Sequence, residues 1–298
     1  MALKAKKPIV QDARFKAVIY ANRGVGKTHF CCSFPNSYFI DSEGVQSSPH
    51  FVEMLVNKGS DLARINELSE IIAEVKTLLS TKHNYKTLII DSISFPFHLL
   101  TNMEAERLAK KGKGDSEGTE FGANMAKAKR QIFELGMLLS RLDMNVLVTA
   151  HEKTKYEKGE EVGKVSDVSE KMEYALGSVL HLRRQGKNVK VYVEKSRYTQ
   201  LPTAEMLDFN EGYELLCERF GKEVFEKECL PEVLATAAQI DEVSTLITNL
   251  NVPDDWLNKK LASFRASKLS QLNTEDMSAL IDLLKDRLLK KSKSGEDE

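Results

Sequence analysis

The chain has 298 residues, 42% hydrophobic and 29% charged, with a net charge of -1 and a pI near 6.6. That length supports one large core and a small second one. Near-neutrality excludes a protein-wide basic field, so any nucleic-acid contact must come from local patches. No apolar run approaches the roughly 18 residues of a membrane span. The opening MALKAKKP is basic but lacks a signal-peptide apolar region. Cys31, Cys32, Cys217 and Cys229 have no metal-ligand spacing and fit core packing in a reducing compartment. A cytoplasmic protein without membrane contact is expected.

Residues 14–21 alternate Phe15, Ala17, Ile19 and Ala21 with Arg14, Lys16, Val18 and Tyr20, which reads as a strand. Asn22, Arg23, Gly24, Val25, Gly26, Lys27 and Thr28 then form a loop, and His29, Phe30, Cys31 and Cys32 open a helix. Strand, Gly-rich loop, Gly-Lys-Thr and helix make a phosphate-cradling P-loop, with Ala21 where the usual first glycine stands. The residues from Asn22 to His29 are the candidate nucleotide-binding set. The glycines allow backbone to approach an anion. Lys27 supplies charge to the outer phosphates, and the Thr28 hydroxyl can ligate Mg²⁺.

Tyr38, Phe39 and Ile40 suit a buried strand that ends in Asp41, Ser42, Glu43 and Gly44. The carboxyl ends of strands in open α/β sheets are where ligands bind. Glu43 is therefore the candidate base that orients the attacking water, with a solvated loop carboxylate as the plain alternative. Residues 67–80 place Leu68, Ile71, Ile72, Val75, Leu78 and Leu79 on one helical face, as in a crossover helix. Leu88, Ile89, Ile90 and Asp91 then read as a Walker B strand, expected beside the P-loop strand, with Asp91 in the Mg²⁺ shell. The plain alternative is a helix N-cap aspartate. Ser92 follows Asp91 where a second acid could stand, so the catalytic carboxylate must come from elsewhere, which favours Glu43.

Helices are expected over 94–110 and 120–143, separated by a mobile Gly- and Lys-rich loop over 110–118. Residues 145–151 form a fourth core strand ending in His151, at the place of a γ-phosphate sensor. Residues 152–170 are polar and Gly-broken and read as a flexible surface loop. A β-hairpin is expected over 179–194, leading to Lys195 and Arg197, which alternate with Ser196 and can project the same way. Residues 209–221 read as irregular. Three helices follow near 236–250, 254–264 and 274–291. The expected division is a core over 1–225, a linker over 226–235, a helical domain over 236–291 and a disordered tail over 292–298.

Taken in order, these motifs resemble the RecA/RadA-like ATPase core over roughly residues 10–215. They look most like its phage-encoded members, nucleotide-binding proteins of single-strand annealing and recombination. The resemblance implies an α/β fold, a RecA-like P-loop NTPase core of mostly parallel sheet flanked by helices, with a small C-terminal three-helix domain. It also implies an ATPase that uses ATP and Mg²⁺ at subunit interfaces in a ring or filament. Glu43 would activate water. His151, where the family usually has glutamine, would sense the γ-phosphate and lead into a DNA-binding segment at 152–170. Lys195 and Arg197 would reach nucleotide across a subunit interface. Single-stranded DNA would contact lysines, Phe121 and Tyr156 in the segments 110–118 and 152–170 and beside them, and the C-terminal helices resemble tails that bind partner proteins. If phage-encoded, the protein would work in the bacterial host cytoplasm. A hexameric helicase or translocase and a non-catalytic, ATP-gated interaction protein are the alternatives. A nucleotide kinase would need an Arg-rich lid, which is not seen.

Overall fold

All six residues of β1 (Lys16–Ala21) are buried, as expected of a strand covered on both faces of a parallel sheet. The computed structural model describes residues 14–111, 120–209 and 212–294. After β1 the chain forms α1 (Lys27–Cys32), β2 (Ser37–Asp41), α2 (Pro49–Asn57), β3 (Asp61–Arg64), α3 (Leu68–Ser80), β4 (Thr87–Asp91) and α4 (Ser94–Lys110). A 3-10 turn at Glu120–Met125 leads into α5 (Ala126–Arg141), β5 (Asn145–Glu157), β6 (Glu160–Ser166), α6 (Glu170–Ala175), β7 (Ser178–Gln185), β8 (Asn188–Ser196) and β9 (Met206–Asp208). Helices close the chain: α7 (Gly212–Phe220), α8 (Lys222–Glu226), α9 (Ala237–Leu250), α10 (Asp254–Ser263) and α11 (Thr274–Ser294).

The strands run in the order β3-β2-β4-β5-β1-β7-β8-β9, with β6 paired to β5. The contacts among β1 to β5 and from β1 to β7 are parallel, whereas β8 and β9 add antiparallel. Period-two alternation sends Val18, Tyr20, Ile40, Leu88, Ile90, Val146 and Val148 to one face, under Ile71 and Val75 of α3 and Ile132 and Leu135 of α5. Ala17, Ile19, Phe39, Ile89 and Leu147 face the other way, toward Phe30 of α1, Leu55 of α2, Leu216 of α7 and Phe225 of α8. The expected α/β architecture, a mostly parallel sheet flanked by helices and followed by C-terminal helices, is the one found. No described helix is long and apolar enough to cross a membrane.

Lys16 shows how a cation fits inside β1. Its Nζ donates to the carbonyls of Leu139, Ser140 and Leu142 at 2.7, 2.9 and 2.7 Å, capping the C-terminal end of α5. The C-terminal helices enclose their own apolar cluster around Val243, Leu261, Leu280 and Leu284. They also dock on the core: Arg141 of α5 donates to Glu232 and to the Gln271 carbonyl, and Gln271 Nε2 donates to Glu134 Oε1 at 2.6 Å.

Several expectations need correction. β4 is not beside β1, because β5 lies between them. Every central strand carries the same apolar signature, so composition alone does not order them. Residues 152–166 are not a loop: β5 continues to Glu157 and turns back through Lys158 (φ 54°) and Gly159 (φ 88°) into β6. Two central positions at positive φ make the hairpin turn that matches strand twist. Residues 212–220 are helical, and α2 and β3 were not foreseen. Helix α11 continues through Ser294, into the segment expected to be disordered. Most of the expected 110–118 loop and the Phe121 side chain lie outside the described residues.

Candidate functional site

The P-loop leaves the carboxyl end of β1 with Gly24 at φ 73° and Gly26 at φ 121°. A side chain at either position would be strained. Around Gly24 a Cβ would meet nothing within 4 Å, so the loop stays open above its backbone. Asn22 Oδ1 accepts from the Arg23 amide at 2.7 Å, and half-buried Val25 packs on the apolar cluster that holds Phe30 and Leu216. Lys27 Nζ lies back on its own loop, donating to the Ala21 carbonyl at 2.9 Å and the Asn22 carbonyl at 3.3 Å. Burial lowers its pKa, against the pull of Asp91 and Glu43. The His29 ring lies 6.1 Å from those of His50 and Phe209.

Thr28 Oγ1 donates to Asp91 Oδ2 at 2.7 Å, and Thr149 donates to Oδ1. Burial raises the Asp91 pKa and the two hydroxyl bonds oppose it. A hydroxyl and a carboxylate side by side suit a hard cation that keeps most of its shell from phosphate and water. Among the described residues no group of three His, Cys, Asp or Glu side chains could hold a metal ion by itself. The residues present therefore fit Mg²⁺ carried with a nucleotide, held by Thr28 and Asp91, with Lys27 for the phosphates. Bound there, Mg²⁺ would supply charge neutralisation at the phosphate oxygens.

Glu43 reaches the same edge through a tight turn. Asp41, wholly buried at the end of β2, accepts from the amides of Glu43, Gly44 and Gln46 at 3.0, 2.7 and 3.0 Å. Ser42 Oγ donates to the Ser92 carbonyl at 2.6 Å and accepts from the Ser92 amide at 2.9 Å, joining the tips of β2 and β4. Glu43 Oε1 meets His151 Nε2 at 2.6 Å and accepts from Ser92 Oγ. Burial works to raise the Glu43 pKa, but the bonds from His151 and Ser92 and the charge of Lys27 outweigh it and leave it lowered. Glu43 is thus ionised at neutral pH. The sheet brings together four strand tips: register sets Ala21 beside His151 and Asp41 beside Asp91.

Beyond His151, β5 runs unbroken into the hairpin with β6. The hairpin root is fastened to α4: the His151 amide donates to Ser94 Oγ at 3.0 Å, and Ser94 Oγ donates to the Asp167 carbonyl at 2.8 Å. Asp167 also meets His98 Nε2 at 2.5 Å and Lys153 Nζ at 3.1 Å. The bond from His98 holds Asp167 down at about 2, and the bond to Asp167 raises His98. The stability from the raised His98 is full below its unfolded value and lost as pH rises through the raised one. The Asp167 contribution is present above the unfolded carboxylate value and lost as pH falls toward about 2. His98→Gln should therefore lower Tm in mildly acidic buffer and cost progressively less on titration above neutrality. A pH-independent difference in Tm would show that the pair does not fasten the root.

Lys195 and Arg197 do project together, as their alternation requires, but far from their own P-loop. Lys195 Nζ donates to the Glu173 carbonyl at 2.8 Å and lies 4.2 Å over the Tyr174 ring, while Arg197 donates to the Tyr174 carbonyl at 2.9 Å. Ser196 pairs with Ser178, which pairs with Ala17 at the amino end of β1, so nearly the length of that strand separates them from Gly24. The cation that does touch the P-loop is Arg184, whose Nη2 donates to the Gly24 carbonyl at 3.1 Å. Sequence reasoning missed it, because its place follows from the parallel pairing of β7 with β1. Asp41, Ser42 and Thr149 were missed as well; each supports a flagged neighbour.

A family model described as an AAA domain matches residues 13–200. No curated protein matches the sequence. Among solved structures, a crystal structure of the RadB recombinase is similar at a TM-score of 0.42 and 16% identity, over 64% of this chain and 84% of that one. The family match spans well over half of the 298 residues and contains the P-loop, Glu43, Asp91 and His151, and on that ground the chain belongs to the AAA domain family of P-loop NTPases.

Proposed function

We propose that the protein is a Mg²⁺-dependent, RecA-type ATPase that binds single-stranded DNA and acts in recombination or strand annealing, in the manner of phage-encoded members of that group. The observation that carries this reading is the junction at the tip of β5. His151 holds Glu43 at 2.6 Å, and the same strand continues without a break into an exposed hairpin. Lys27, Thr28 and Asp91 bind Mg²⁺·ATP, Glu43 positions the water, and His151 passes the state of the γ-phosphate to the hairpin.

Tyr156 is 65% exposed and offers a stacking surface. Lys153, Lys155 and Lys164 offer phosphate contacts, but each already pairs with Asp167, Glu157 or Glu161. The hairpin is thus close to electrically balanced, and stacking carries much of the affinity. Base stacking on one aromatic is worth about 1–3 kcal/mol. Tyr156→Ala should weaken single-stranded DNA binding by that amount in fluorescence anisotropy and leave unstimulated hydrolysis unchanged. The decisive assay is ATP hydrolysis with and without single-stranded DNA. Rates that ignore DNA, with no DNA binding, would overturn the reading.

Lys195 and Arg197 support assembly into oligomers. They lie at the end of the sheet opposite their own P-loop, so their service to nucleotide is through a neighbouring copy. The C-terminal helices, docked on the core but with an apolar cluster of their own, offer a surface for a partner protein in this reading.

A further inference from the structure

The root of the hairpin is held from two sides. Alternation along β5 turns His151 toward Glu43 and the next residue, Glu152, toward β7. There His181 Nε2 lies 2.7 Å from Glu152 Oε2, and Arg183 Nε donates to His181 Nδ1 at 2.8 Å. An imidazole that accepts on Nδ1 and donates from Nε2 is neutral and held in one tautomer. Its ring stacks on Tyr20 with centroids 4.2 Å apart and planes 18° apart. Tyr20, the residue before Ala21, donates its hydroxyl to Glu194 Oε2 at 2.5 Å. The His181 side chain is 5% exposed and that of Glu152 13%. Arg184, next to Arg183, rests on the P-loop at the Gly24 carbonyl.

These contacts form a continuous path from the P-loop tip and its strand, through one buried histidine, to the first residue of the hairpin beyond His151. We infer that His181 is a positioning residue that ties the β5–β6 hairpin to the P-loop strand and transmits nucleotide occupancy to the hairpin through Glu152. The inference rests on the proposed function only in placing a nucleotide at the P-loop; it does not require DNA binding.

The groups facing His181 are Tyr20 from β1, Glu152 from β5, Arg183 on its own strand and Glu194 from β8. Burial and the Arg183 charge hold the imidazole below its ordinary value, against the pull of Glu152 and Glu194. Protonation would set an N–H on Nδ1 against the Arg183 N–H and break that arm of the path. Transmission should therefore weaken as the solution is acidified.

The test is amide hydrogen exchange across residues 152–166 of the full chain, with and without Mg²⁺·ADP. The parent should show slower hairpin exchange when nucleotide is bound. His181→Phe keeps a stacking ring but removes both hydrogen bonds. It should bind Mg²⁺·ADP as the parent does and lose roughly five- to tenfold of that slowing, the worth of one or two buried hydrogen bonds. His181→Gln keeps one donor and one acceptor; it should retain the slowing and lose its decline at acid pH. Should the Phe variant fail to fold, Glu152→Gln, which keeps the shape and drops the charge, should reduce the slowing. The inference is overturned if the parent hairpin ignores nucleotide, if removing the hydrogen bonds leaves the response intact, or if Gln behaves like Phe. Absence of DNA binding would sink the proposed function and leave this readout unaffected.

Discussion

Glu43→Gln is expected to lower kcat for ATP hydrolysis by about 10²–10⁴, the usual range for a positioned general base. Affinity for Mg²⁺·ATP should be unchanged. The carboxylate sits in a turn fixed by the three amide bonds to Asp41, and its lowered pKa keeps it ionised. Glutamine fits the same turn, and its amide oxygen can still accept from Ser92. What it lacks is the charge that would pull a proton from water if Glu43 is the base. Lys27, Thr28 and Asp91 are untouched, so equilibrium binding of a fluorescent ATP analogue separates chemistry from binding. A variant that hydrolyses ATP at the parent rate would move the base elsewhere. A variant that loses binding as well would make Glu43 part of the nucleotide cradle.

His151 is the counterpart of this experiment. It shares Oε1 of Glu43 with Ser92, so the carboxylate is tied to the tips of both β4 and β5. Glu43 and the hairpin are therefore joined through the tip of one strand, so a load on the hairpin should be felt at Glu43. His151→Ala should leave Glu43 held by Ser92 alone, so basal hydrolysis should outlast its response to DNA.

The parts of this site that are contiguous in sequence were legible from it. Two glycines at positive φ, a lysine and a threonine in one loop give the P-loop away, because their chemistry needs no partner from elsewhere in the chain. Glu43, Asp91 and His151 were legible one by one, each as a polar residue ending an apolar run. Their convergence came only with the family resemblance, because it depends on β5 entering between β1 and β4, and strand order is set by where the crossover helices pack. The hairpin was missed for a different reason. Beyond its root both of its faces meet water, so it carries no apolar alternation, and only Lys158-Gly159 marked its turn. Lys195 and Arg197 illustrate the same limit: alternation gave their common direction, while only the register of β7 and β8 shows which end of the sheet they occupy.

That position sets the second large effect. The double variant Lys195→Ala, Arg197→Ala should lose about 10³–10⁵ in kcat if the two cations complete a neighbour's site as arginine fingers do. Their own P-loop lies beyond the far end of β1, so its binding of Mg²⁺·ATP should be unaffected. Both side chains are anchored on the α6 carbonyls at 2.8 and 2.9 Å, with Lys195 half-buried and Arg197 exposed, so service to a neighbour would draw them off α6. Complementation decides between service in trans and a structural role. A chain with Glu43→Gln keeps the cations and lacks the base, while the double variant keeps the base and lacks the cations. Mixed together, they form some interfaces at which an intact Glu43 meets intact Lys195 and Arg197 from the other chain. Recovery of hydrolysis well above the sum of the two separate rates would establish action across the interface. A mixture no more active than its components, with oligomers still forming, would return Lys195 and Arg197 to the role of fastening α6 to the sheet.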